Sequence, residues 1–99
     1  MGWATAAIER LKLGEVVQIR PRGHSMRGKV DSGQLVTVSP DKDALASGDI
    51  VLCKVKGQQY LHLIKAINAQ GRYLIGNNRG GTNGWIGLDQ IFGRAIKVE

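Results

Sequence analysis

Along the chain, apolar residues recur at two different spacings. In ATAAIERLKLG, Ala4, Ala7, Ile8 and Leu11 fall on one helical face, and Gly14 follows in position to end the turn with a left-handed backbone. This predicts a helix of two to three turns, too short to stand alone in water, whose apolar stripe docks as a lid on the rest of the molecule.

From residue 15 the spacing changes to that of strands. EVVQIR reads as a strand running into Pro21 and the Gly23 to Gly28 segment, and QLVTVS alternates Leu35 or Val36 with polar partners before Pro40. DKDALASGD is a polar connection ended by Gly48 and Asp49, and DIVLCKV is strongly apolar. Lys56, Gly57 and Gln58 form a tight hairpin turn into QYLHLIKAI. There, alternation places Tyr60, His62, Ile64 and Ala66 on one face and Leu61, Leu63, Lys65 and Ile67 on the other. NAQG turns into RYLIG, NNRGGTNG reads as a long loop, and WIG, an LDQ turn and the strand IFGRAIKV close the chain.

Six or so short strands joined by glycine-bearing turns predict a mainly β fold: a coiled antiparallel or mixed sheet, partly barrel-like, with one short N-terminal helix. A flat sheet of this size would leave an apolar face in water. With 99 residues, 42% of them hydrophobic, the chain is enough for one hydrophobic core and too short for two domains that each need their own. The expected organisation is a single domain, with residues 1–14 helical and residues 15–98 forming the β core.

Composition changes this picture little, and charge somewhat more. The net charge is +6, and Arg20, Arg22, Arg27 and Lys29 form a cluster with no acid inside it. Such a cluster suits an acidic peptide, an anionic surface or nucleic acid, or simply a solvated loop. Aromatic content is 5%, with Trp3 and Trp85 far apart, so no stacking platform for single-stranded nucleic acid is suggested. NNRGGTNG lacks the Gly-Lys-Ser/Thr ending of a phosphate loop. No motif calls for a cofactor or a metal. Cys53 is alone, in a setting that reads as a buried apolar position. No stretch approaches the ~18 apolar residues of a membrane span. A cytoplasmic protein is expected.

Chemistry concentrates in RPRGHSMRG. Ser25 lies in a glycine-containing turn after a strand, where neighbouring N–H groups can face a developing oxyanion. A serine there also serves simply as a turn former. A nucleophilic serine needs a base. His24 is its neighbour, but adjacent side chains on extended backbone point apart. His62 and Lys65 are the alternatives, on opposite faces of one strand, and the residues alone also allow His62 to be a core histidine bonded to backbone.

Taken in order, GHSM at 23–26, SGQLVTV at 32–38, SGDIVLCKV at 47–55, YLHLIKAI at 60–67, YLIGNN at 73–78 and IFGRAI at 91–96 resemble the serine peptidase domain shared by signal peptidases and LexA-type self-cleaving repressors. The resemblance covers residues 15 to 98. It implies Ser25 as nucleophile and His62 at the position of the general base, which is Lys in bacterial signal peptidases and the LexA type and His in the endoplasmic-reticulum and archaeal type. Met26 is similar to a residue that helps shape the substrate cleft and reads equally well as a core anchor, and Lys65 becomes an ordinary strand lysine.

The chain also departs from the family pattern. Gly23 stands where signal peptidases commonly carry an oxyanion-binding Ser, as it does in the LexA type. The Pro that usually follows Ser-Met is absent, and Gly33-Gln34 replaces Gly-Asp. Where relatives with a His base carry Gly-Asp-Asn, this chain has Gly76-Asn77-Asn78. Asn77 can accept a hydrogen bond from an imidazole but cannot stabilise its cation as a carboxylate would. Asp89, the only acid between residues 50 and 98, is the other possible third member. The 24 residues before Ser25 contain no Ala-Gly or Cys-Gly bond, so neither repressor-style self-cleavage nor operator binding is expected.

Two functions compete: a serine endopeptidase acting on an extended peptide through Ser25 and His62, and a peptide-binding module of the same fold with weak or absent catalysis. A nucleic-acid role trails both. Exposed strand edges, as in LexA relatives, permit a homodimer.

Overall fold

The computed structural model describes residues 2–99. Helix α1, Thr5–Lys12, buries Ala4 at its entry and Ile8 and Leu11 along one face, and Gly14 beyond its end has φ +86°. These are the apolar positions that the helical spacing singles out. No helix among the described residues is long and apolar enough to cross a membrane.

Seven strands follow: β1 (Val17–Ile19), β2 (Val36–Ser39), β3 (Ile50–Val55), β4 (Gln58–Ile67), β5 (Tyr73–Gly76), β6 (Thr82–Ile86) and β7 (Ile91–Val98), with a short 3-10 turn, Leu88–Gln90, before β7. They form one sheet in the order β1-β2-β7-β3-β4-β5-β6, antiparallel at every pair. The sheet does not close, and β1 and β6 are its edges.

The central strand β3 is buried on both faces. Leu52 joins α1, β1 and β2 in one core, together with Met26, Val30, Leu61 and Leu63. Val51, Cys53 and Val55 join Ile64, Ile75, Ile86 and Ile91 in a second core. The helix covers the first. The second is covered by the sheet itself, which curls until β6 reaches back towards β3 and Gly84 lies against Val55 and Lys56. Burial of Cys53 pushes its thiol up to about 12.

The structure revises three details of the strand reading. Gln58 belongs to β4, paired with Val55, so the hairpin turn is Lys56-Gly57 alone, with φ of +52° and +80°. The alternation along β4 breaks at Lys65, which is the extra residue of a bulge between the pairs Ile64–Ile75 and Ala66–Leu74. The largest difference lies in NNRGGTNG, whose second half is strand: Thr82 and Gly84 pair with Gly76 and Ile75 of β5.

Candidate active site

The turn that carries Ser25 folds on its own backbone. Arg27 N–H donates to the His24 carbonyl, and the Lys29 and Val30 N–H groups donate to that of Met26. Met26 and Val30 are buried beneath it, which gives Met26 the anchoring role and also makes it part of the cleft floor. Gly23 has φ +113°, a conformation that favours glycine, and its N–H donates to Ser32 Oγ at 3.1 Å. Among the described residues, the N–H groups of His24, Ser25 and Met26 have no acceptor in the protein. The side chains of Arg20, Arg22, Arg27 and Lys29 are all exposed.

From the other side comes His62, on the β4 face that also carries Tyr60 and Ile64 and only 5% exposed. Its ring stacks on Tyr60, with centroids 4.7 Å apart. Ser25 Oγ lies 3.0 Å from Nε2, and Asn83 Oδ1 lies 2.7 Å from Nδ1. An amide oxygen at Nδ1 fixes the tautomer: Nδ1–H donates to Asn83, and Nε2 presents its lone pair to the Ser25 hydroxyl. Burial holds the imidazole below its ordinary 6.5, and the Asn83 hydrogen bond pulls more weakly the other way. A neutral ring with a free Nε2 lone pair is the form that can take a proton.

Asn83 was not singled out by the sequence, and the two residues considered for its role are elsewhere. Asn77 Oδ1 accepts from the N–H groups of Arg79 at 2.9 Å and Gly81 at 2.8 Å, and so spends its side chain on the turn leading into β6. Asp89 is exposed on the 3-10 turn before β7, bordering a different depression with Lys42 and Phe92. Lys65, the alternative base, donates from Nζ to the Asn77 carbonyl at 2.8 Å. The bulge sends it to that turn while His62 faces Ser25.

Asn78 ties the two sides together. Its N–H donates to the Ser25 carbonyl at 2.8 Å, and its Nδ2 donates to the Arg27 carbonyl at 2.8 Å. Gly76 enables this reversal, since a Cβ there would run into the Gly81 carbonyl and the Lys65 side chain. Asn78 ends the family motif YLIGNN, whereas the only sequence signal for Asn83 is its place in a segment dense in turn formers.

Ser25 and His62 open onto a cleft of about 110 Å³, floored by Met26, Val30 and Leu61 and walled by Trp3 and Tyr60. That is below the ~300 Å³ at which small-molecule sites begin, and it suits the side chains of a chain lying across the surface.

The family model described as Peptidase S24-like matches residues 7–95. No curated protein and no solved structure matches the chain. The family match spans nearly its whole length, and the chain belongs to the S24-like peptidase family.

Proposed function

We propose that this member of the S24-like peptidase family is a serine endopeptidase in which Ser25 is the nucleophile, His62 the general base and Asn83 the residue that orients the base. The observation that carries this reading is the line from Ser25 Oγ through His62 to Asn83 Oδ1, with spacings of 3.0 and 2.7 Å.

In the proposed cycle, Ser25 Oγ attacks the scissile carbonyl carbon as its proton passes to His62 Nε2. The unpaired N–H of Ser25 and of a neighbour in its turn receive the oxyanion. Collapse breaks the C–N bond, and Nε2 delivers its proton to the leaving amine. Water then attacks the acyl-enzyme, gives a proton to Nε2, and the released serine takes that proton back. Asn83 keeps Nδ1 protonated throughout, so that the lone pair stays on the nitrogen facing Ser25. It carries no charge to offset the imidazolium, so each proton transfer is less favoured than with a carboxylate in its place.

That neutral third member also supports a second reading, a peptide-binding module of the same fold with slow or absent turnover. Reaction with a peptide phosphonate, followed by intact mass and peptide mapping, separates the two. The peptidase gains one adduct, on Ser25, and labelling falls by roughly 10⁴-fold or more in Ser25→Ala and His62→Ala. A folded protein that takes no label is the binding module.

A further inference from the structure

The β4 edge beside the cleft is only partly used. Val55 and Gln58 close the two-residue turn, so along this ladder the backbone groups of Gln59, Leu61 and Leu63 point away from β3. Leu63 is met there by Gly76 of β5, but β5 goes no further, and Gln59 and Leu61 lie beyond its reach. At Gln59 the vacant position is filled from the N-terminal segment, where Trp3 Nε1–H donates to the Gln59 carbonyl at 3.1 Å.

This segment is built in place. Ala4, 2% exposed, donates its N–H to Gln59 Oε1 at 2.7 Å, and Gln59 Nε2 donates to Thr5 Oγ1 at 3.0 Å. Gly2 packs so closely on the Gln59 amide that a Cβ would overlap it. One residue of β4 thus positions three consecutive residues, Trp3 through its carbonyl and Ala4 and Thr5 through its side chain. The Trp3 indole, 52% exposed, is left as a wall of the cleft that contains Ser25 and His62.

We infer that Trp3 determines specificity here: its indole ends the β4 edge at Gln59 and selects extended peptides that present an uncharged apolar side chain to it. A bound strand then has Leu61 for backbone pairing between the indole and Ser25. The side chain directed at Trp3 enters between the indole and the floor of Met26, Val30 and Leu61, where a carboxylate loses its water, and the charged groups that also line the cleft, Arg22 and Asp31, are exposed and opposite in sign. The inference rests on the reading of this cleft as a peptide site and is independent of turnover.

The test uses the full chain carrying Ser25→Ala and Trp85→Phe, in which Trp3 is the sole tryptophan. Short capped peptides with Leu or Asp at one position at a time are titrated by calorimetry, which reads affinity with or without Trp3, while indole emission is followed in parallel in the protein that keeps Trp3. At one position, the Leu peptide is expected to move the emission to shorter wavelength and to bind about tenfold more tightly than its Asp counterpart. Trp3→Ala in the same background loses that ratio, and Trp3→Phe, which keeps the aromatic wall without the N–H, retains it. A ratio that survives Trp3→Ala overturns the inference, as does a peptide set that never moves the emission. Phosphonate labelling of the wild-type protein reports separately on the peptidase. Trp3-dependent selectivity without labelling removes the peptidase reading alone, and labelling without such selectivity removes this inference alone.

Discussion

Two glycine-rich turns meet at His62, and they are built in opposite ways. The turn carrying Ser25, at Nε2, closes its own backbone hydrogen bonds and buries Met26 and Val30 beneath it. The 77–81 turn, which delivers Asn83 to Nδ1, has no buried apolar residue and hangs on the Asn77 carboxamide and the Asn77 N–H bond to the Gly81 carbonyl. Yet the second supports the first, because Asn78 holds the carbonyls of Ser25 and Arg27. Placement of Ser25 and orientation of His62 are therefore one mechanical unit, and its weaker half is the polar turn.

The largest effect that separates the two sides belongs to Asn83. Removing its oxygen frees the imidazole to put its proton on Nε2 and leaves a buried ring nitrogen unpaired, so Asn83→Ala is expected to slow Ser25 labelling by roughly 10- to 100-fold and to cost about 1–3 kcal/mol in stability. Asn83→Asp would place a carboxylate against Nδ1, raise the His62 pKa and move the acid limb of the labelling rate to higher pH. Asn77→Asp should leave that limb where it is, since Asn77 does not touch the ring. A pH profile of labelling for the three variants checks the assignment. A limb that moves with Asn77 and not with Asn83 would reverse the roles of the two asparagines.

The legibility of the molecule follows the same division. The helix, β3, β4 and β7 were readable because their apolar spacing is local and strong: Ile8 and Leu11 on one helical face, and Val51, Cys53 and Val55 alternating with Leu52. The family motifs brought Ser25 and His62 to notice, although the distance between them depends on the fold. β6 was not readable. Of Thr82, Asn83 and Gly84 only the first favours a strand by itself, and pairing with β5 makes all three extended, with Gly84 at φ +143°. Asn83 lies among them, and the acid of the family pattern points instead to Asn77 and Asp89. The bulge that sends Lys65 to the Asn77 carbonyl leaves no mark on an otherwise regular alternation.

A smaller effect is expected from pH alone. His62 is held neutral in the folded protein below its ordinary 6.5, while the unfolded chain protonates it normally. Between those two values the unfolded state binds more protons. Stability is therefore level above about pH 6.5 and falls as pH drops through that range towards the folded pKa. Urea midpoints from pH 7.5 to 5 should decline in the wild type and less steeply in His62→Gln. Equal slopes would mean that the ring is not desolvated. Labelling should also decline with acid, at a pH below 6.5, where the folded ring gains its proton.

The smallest effect concerns the polar turn as a scaffold. Asn77→Ala leaves the N–H groups of Arg79 and Gly81 without their acceptor, at a cost of about 1 kcal/mol in stability, read from the thermal midpoint. If Asn77 is the support described here, labelling slows along with it because Asn83 and Asn78 both shift. A loss of stability with an unchanged labelling rate would show that β6 holds Asn83 without help.

Cys53 sits at the centre of β3 with no exposed surface and a thiol that stays protonated up to about pH 12. Only the thiolate reacts readily, so in the closed molecule this sulfur is silent towards oxidants and electrophiles alike. It becomes available when β3 parts from the layer formed by β5 and β6. Its chemistry is thereby tied to the breathing of the sheet rather than to the redox poise around it, and the strand that pairs with β4 at His62 carries its own clock of opening.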